Sequence, residues 1–256
     1  MSAFVGLANL PKETSMVIIG EKYAEILRKS LNNLGISTTF IPDNPYVDVR
    51  LSGHADLSVF HAGGERIYLA SHLKGTNFEK EWHRLGADLV FLDMKQSATY
   101  PHDAQFNACT VGRRLIYAPK VTGKEIVDYF TNEQGTDLLP IRQGYGKCSV
   151  CVVDERSIIT ADKGIAEAAK KIGLDVLQIT PGFIDLPGFA YGFIGGSVFR
   201  ISEHIMAFTG LLDGHPDKAA ILSFIGARGF EPVYLTENKI FDIGSALPIL
   251  EKQSRK

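Results

Sequence analysis

Cysteine is scarce in this chain: three in 256 residues, at positions 109, 148 and 151. An odd, sparse count argues against a disulfide framework and for a reducing, cytoplasmic setting. Long apolar runs are missing as well. None reaches the roughly 18 residues that a spanning helix needs, and the first residues lack the basic start of a signal peptide. No membrane contact is therefore expected. Excess charge is absent too. The net charge is −2, with lysines and arginines scattered rather than striped, so nothing favours a nucleic-acid partner. The seven histidines show no ligand spacing such as His-Glu-x-x-His, so no metal site is expected. The stretch 16–43 starts like a dinucleotide-binding unit but has one glycine where three are needed, and no cofactor is expected either.

What is present is ordinary globular composition, 45 % hydrophobic and 22 % charged, in a chain long enough to bury a sizeable core. Its order is repetitive. Residues 21–34 have apolar side chains at helical spacing, at Tyr23, Ile26, Leu27, Leu31 and Leu34, and Gly35 follows as a stop. A β-rich run, 36–41, comes next, then a loop at 42–56, then a hairpin of 57–61 with 66–70. The same grammar returns with helices over 78–85, 123–132, 163–172 and 217–227. Glycines 86, 135, 173 and 229 stop them, and strands follow over 87–92, 137–141, 174–179 and 231–235. Asp162 is a helix cap. The tail 251–256 reads as frayed. Five such units suggest a repeat architecture, one domain over 1–256. An open doubly wound sheet also alternates helix and strand, but has no regular place for the extra hairpins.

The residues His54, Ala55 and Asp56, the run Tyr100 to Asp103 with Asn107, Ala161 to Ile165, and Gly192 to Gly196 resemble an uncharacterised bacterial family of the pentein superfamily. The resemblance implies an α/β fold, a five-bladed propeller with pseudo-fivefold symmetry. That superfamily holds guanidino-modifying enzymes, and also a ribosome-binding translation factor without activity. Its enzymes need a thiolate, a histidine acid/base and carboxylates to grip a cation. By that resemblance His54 is the acid/base, while Asp56 and Asp103 are catalytic acids that hold a small cationic metabolite. Tyr100 and Asn107, with Gly195 and Gly196, belong to the binding loops, and Asn107 adds an amide contact.

The enzymes carry a cysteine after a glycine-rich stretch near the C-terminus. Here Gly195 and Gly196 are followed by Ser197, and no cysteine occurs after Cys151. Ser197 and Ser245 are the hydroxyl candidates for that place, and a hydroxyl lacks thiolate reactivity at neutral pH. Cys148 follows the third loop and is the one reactive thiol candidate. Cys109 and Cys151 read as core residues. Placed on one strand, Cys148 and Cys151 would face opposite sides, so they are not expected to pair or chelate. Arg50 and Lys147 flank the loops and are candidates for holding a substrate carboxylate. Two functions stay open: an enzyme of a guanidinium or amidine C–N bond, and a non-catalytic scaffold binding a ligand or a protein.

Overall fold

The computed structural model describes residues 2–92, 95–132 and 135–253. It contains four three-stranded sheets and one four-stranded sheet. Each is built alike: an antiparallel pair, then a third strand parallel to the second. A parallel return needs a crossover, and the helices supply it: Asn77–Arg84, Lys124–Asn132, Lys163–Lys171 and Lys218–Gly226. These sheets are the blades of a five-bladed α/β propeller.

The first blade is completed from the far end of the chain. Strand Leu247–Lys252 lies between Ser2–Phe4 and Thr14–Gly20, antiparallel to both, with Leu247 opposite Ile18. Thr14–Gly20 then runs parallel to Ser37–Ile41. Glu251 and Lys252, read as fraying from sequence, belong to this strand; their partners lie far away in sequence, so no local signal announces it. Strands Ser2–Phe4 and Ile205–Phe208 were also not anticipated.

Strand side chains alternate between faces, and here both faces are buried against neighbouring blades. Ile18 packs toward the second blade with Val59, Ile67 and Trp82. Val17 and Ile19 pack toward the fifth with Phe199 and Ala207. The remaining clusters join second to third blade through Phe60 and Phe130, third to fourth through Ile116 and Ile158, and fourth to fifth through Cys151 and Phe208. Every blade thus shares a core with the next, and the last shares one with the first. An open sheet would leave two edges without such a partner.

The helix stops behave as the sequence suggested. Gly35, Gly86, Gly135, Gly173 and Gly229 all have φ between +73° and +87°, the left-handed conformation a side chain resists. Asp162 accepts the Ile165 amide at 2.8 Å as a cap. Thr76 does the same for Glu79 at 3.3 Å, a cap not foreseen. Ile26, placed on the apolar stripe of the first helix, is 46 % exposed. Among the described residues no helix is long and apolar enough to cross a membrane.

Closure through the C-terminal strand makes a specific demand on Ile249, which is fully buried beside Trp82. Ile249→Ala is expected to lower unfolding stability by about 2–5 kcal/mol, read from urea denaturation. Thr76→Ala, which removes one cap, should lower it by about 1 kcal/mol.

Candidate functional site

Five loops enter the five blades, and they meet on the axis. The residue immediately before each inner strand is Ser58, Ala108, Ser149, Ser197 or Ala246. It is small every time, because five chain segments crowd together there. In four of the five loops the residues just ahead of these are polar: Asp56, Asn107, Lys147 with Cys148, and Ser245.

Asp56 is the hub. Its Oδ2 accepts hydrogen bonds from Cys148 Sγ at 2.9 Å and Ser245 Oγ at 2.7 Å. Asn107 clamps Cys148 from the other side: its Oδ1 accepts the Cys148 amide at 3.0 Å and its Nδ2 lies 3.3 Å from Sγ. Lys147 Nζ donates to Gly195 O and to Ser245 Oγ, both at 3.3 Å. Four of the five loops are bonded through these side chains. The fifth-blade loop, Tyr191 to Ser197, joins through the Gly195 carbonyl and through Asp242, whose Oδ2 accepts the Phe193 amide at 2.8 Å.

Cys148 does not lie on a strand. Residues Gly146–Ser149 form one helical turn, and the strand starts at Val150. The turn aims the thiol at the axis while Cys151 points into the core. Gly196 matters sterically: a Cβ there would sit 1.9 Å from Asp242 Oδ1. Gly244, at φ +64°, combines a left-handed backbone with a Cβ direction that would strike His54 at 2.1 Å.

A cavity of about 250 Å³ opens over this cluster. His54, Cys148 and Asp242 supply its polar floor, and Leu51, Leu57, Leu186, Phe189 and Phe193 much of its wall. The expected polar pocket is therefore polar at the bottom and apolar above. Asp56 stands behind Cys148 rather than on the wall. Asp103 also stays outside: its Oδ2 accepts the hydroxyl of Tyr145, a lining residue, at 2.6 Å. Tyr100 stacks on Tyr145 with ring centroids 5.2 Å apart, and its hydroxyl accepts the Gly144 amide. Lys147 is buried on the axis, facing Gly195 and Ser245 instead of the cavity. Arg50 lies at the rim, paired with Asp48 at 2.6 Å and bonded to Gly188 O at 2.7 Å.

Burial sets the protonation of the floor. It pulls His54 down to about 4 against the opposing pull of Asp56, so the imidazole is neutral at pH 7. It pushes the Cys148 thiol well up, helped by the charges of Asp56 and Asp242. Asp56 is also raised by burial, with His54 acting in the other direction. Asp242 is raised to about 6 by burial, although the amides of Gly244 and Phe193 and the Lys147 charge oppose this. One donor atom each from His54, Asp56 and Cys148 lies within 4.8 Å of the others. That is a mixed nitrogen, oxygen and sulfur set of the kind that holds a divalent metal ion, and equally one that relays protons.

A profile for a family of unknown function, DUF6873, matches residues 18–247. The chain belongs to DUF6873. No curated protein matches the sequence. Solved structures do, at the level of fold. Inosamine-phosphate amidinotransferase StrB1 from Streptomyces griseus superposes with a TM-score of 0.59 at 9 % identity, covering 99 % of both chains. DDAH from Pseudomonas aeruginosa gives 0.53 at 10 %, covering 91 % of this chain and 96 % of its own. Agmatine deiminase from C. jejuni gives 0.51 at 10 %, covering 91 % of each. This DUF6873 chain thus has the pentein fold of guanidino-modifying enzymes.

Asp242, Tyr145 and Phe193 were not singled out from sequence. Residues 239–244, which close the fifth unit, form an axial loop. The available signal was the small residue preceding each apolar strand, which puts Asp242 to Ala246 in register with the other loops.

The raised Asp242 has a consequence for stability. Its ordinary value is 3.8 and its folded value about 6, so between these pH values the folded state holds more protons than the unfolded one. Stability then falls as pH rises through that window. Two units correspond to about 3 kcal/mol. Asp242→Asn should remove this pH dependence: it loses one amide acceptor at every pH, but its melting temperature should rise relative to the parent's between pH 3.5 and pH 7.5, checked by calorimetry.

Proposed function

We propose that the axial pocket binds a small amidinium or guanidinium cation and breaks one of its C–N bonds. Cys148 is the nucleophile, His54 carries the proton and Asp242 seats the cation. The observation behind this reading is the convergence of a thiol, a neutral imidazole and a carboxylate on the floor of one cavity. The shared fold with an amidinotransferase and a deiminase supports the same class.

The resting thiol is protonated, and its hydrogen bond to Asp56 keeps it so. A cation seated beside Asp242 offsets the local negative charge and lowers the cost of forming a thiolate. His54 then takes the proton. Sulfur adds to the electrophilic carbon while a C–N π pair moves onto nitrogen. His54 returns its proton to the departing amine as that C–N bond breaks, leaving a carbon–sulfur adduct. Water adds to the same carbon, passing a proton to His54, and the C–S bond breaks as sulfur recovers it. An amine in place of water would turn hydrolysis into group transfer. Asn107 holds the sulfur in line from the side opposite Asp56.

The second reading is a binding protein on the same scaffold. It is favoured by the lack of any cysteine after Cys151 and by the protonated state of Cys148.

A haloacetamidine, an amidinium with an electrophilic carbon, tests both. Intact-mass analysis should show one adduct, on Cys148, lost in Cys148→Ala. His54→Asn should slow adduct formation by about 10²-fold or more. Cation affinity by calorimetry should survive Cys148→Ala and fall more than tenfold in Gly196→Ala, where the added methyl displaces Asp242. Affinity without any adduct would leave the binding reading standing alone.

A further inference from the structure

The wall above the floor has a character of its own. Leu51, Leu57, Leu186, Phe189, Ala190 and Phe193 surround the space a bound cation would extend into. Tyr191 meets Phe193 edge-on, with centroids 6.2 Å apart. Among the described residues no lysine or arginine lines the cavity.

The nearest cations are already engaged. The Arg50 guanidinium donates to both Asp48 oxygens, at 2.9 and 2.6 Å, and to Gly188 O. It also lies flat over the Phe189 ring, 4.2 Å from its centroid. That makes Arg50 a strap holding the 186–191 segment over the cavity. Lys22 Nζ donates to the Arg50 carbonyl at 3.2 Å. Lys147 faces the opposite way, toward Gly195 and Ser245.

We infer that the occupant of this cavity carries a neutral, apolar substituent on its amidinium or guanidinium group, and not the carboxylate of an amino acid. The inference rests on the reading of the pocket as a cation site and narrows it to a ligand class. A carboxylate in the upper cavity would lose its hydration without gaining a counter-ion. An alkyl or aryl tail, in contrast, gains by leaving water for these side chains. At about 250 Å³ the space lies just under the usual range of about 300–1,000 Å³ for ligand pockets, so the tail is short.

Calorimetric titration of the full chain at pH 7.5 decides the matter, using guanidinium, methyl-, ethyl- and n-butylguanidinium, agmatine and L-arginine. Affinity should rise about fourfold per added methylene, and n-butylguanidinium should bind at least tenfold tighter than arginine or agmatine. Leu186→Ser should weaken n-butylguanidinium more than guanidinium. Arginine binding as tightly as n-butylguanidinium would overturn the inference while leaving the cation site intact. No binding by any of the six cations would overturn both. A flat series with no methylene increment would remove the apolar tail alone.

Discussion

The hydrogen bonds that Asp56 accepts from Cys148 and Ser245 tie together loops separated by 92 and 189 residues. A buried carboxylate is tolerable only when its oxygens are satisfied. Here only Oδ2 is satisfied, and the two groups that bond it come from two other repeat units. The loops must therefore arrive together, and the ring of blades is what brings them. Remove the ring and the carboxylate returns to water, the thiol to solvent, and the site ceases to exist.

The same axis leaves buried polar groups crowded and incompletely partnered. Acidic and thiol groups crowd a volume with Lys147 as a counter-ion that already serves Ser245 and the Gly195 carbonyl. Among the described residues His54 Nε2 and Asp56 Oδ1 find no hydrogen-bond partner. Local rules are broken where function is expected, and the cost is met by the apolar interfaces between blades. Those interfaces are continuous, so each blade stabilises its neighbours and none could keep its strands dry alone. Above the polar floor the cavity is walled by apolar side chains, with Arg50 strapped across Phe189.

Much of the fold was legible in the chain. Gly35, Gly86, Gly135, Gly173 and Gly229 mark the helix ends because only a residue without a side chain adopts positive φ freely. Asp162 announces a cap through local geometry. His54, Asp56 and Asn107 could be named through the family resemblance that their loop motifs carry. Cys148 could be kept as the one reactive thiol because it follows the third loop, but it was placed on a strand, and the single turn Gly146–Ser149 that swings it to the axis has no propensity signal of its own. Asp242 was hidden for a related reason. The segment 239–244 is apolar enough to suggest a strand, and its loop conformation is imposed by bonds to Phe193 and Gly244.

By itself the sequence determined the rhythm of helix, glycine stop and strand, since these follow from the conformational limits of each residue and its nearest neighbours. Pairing Leu247–Lys252 with Thr14–Gly20 belongs to the tertiary structure, as does turning Arg50, Tyr100 and Lys147 away from the cavity while bringing Asp242 onto its floor. Those outcomes depend on which partners distant segments find, and a side chain's partners are settled by packing across the ring rather than by its place in the chain.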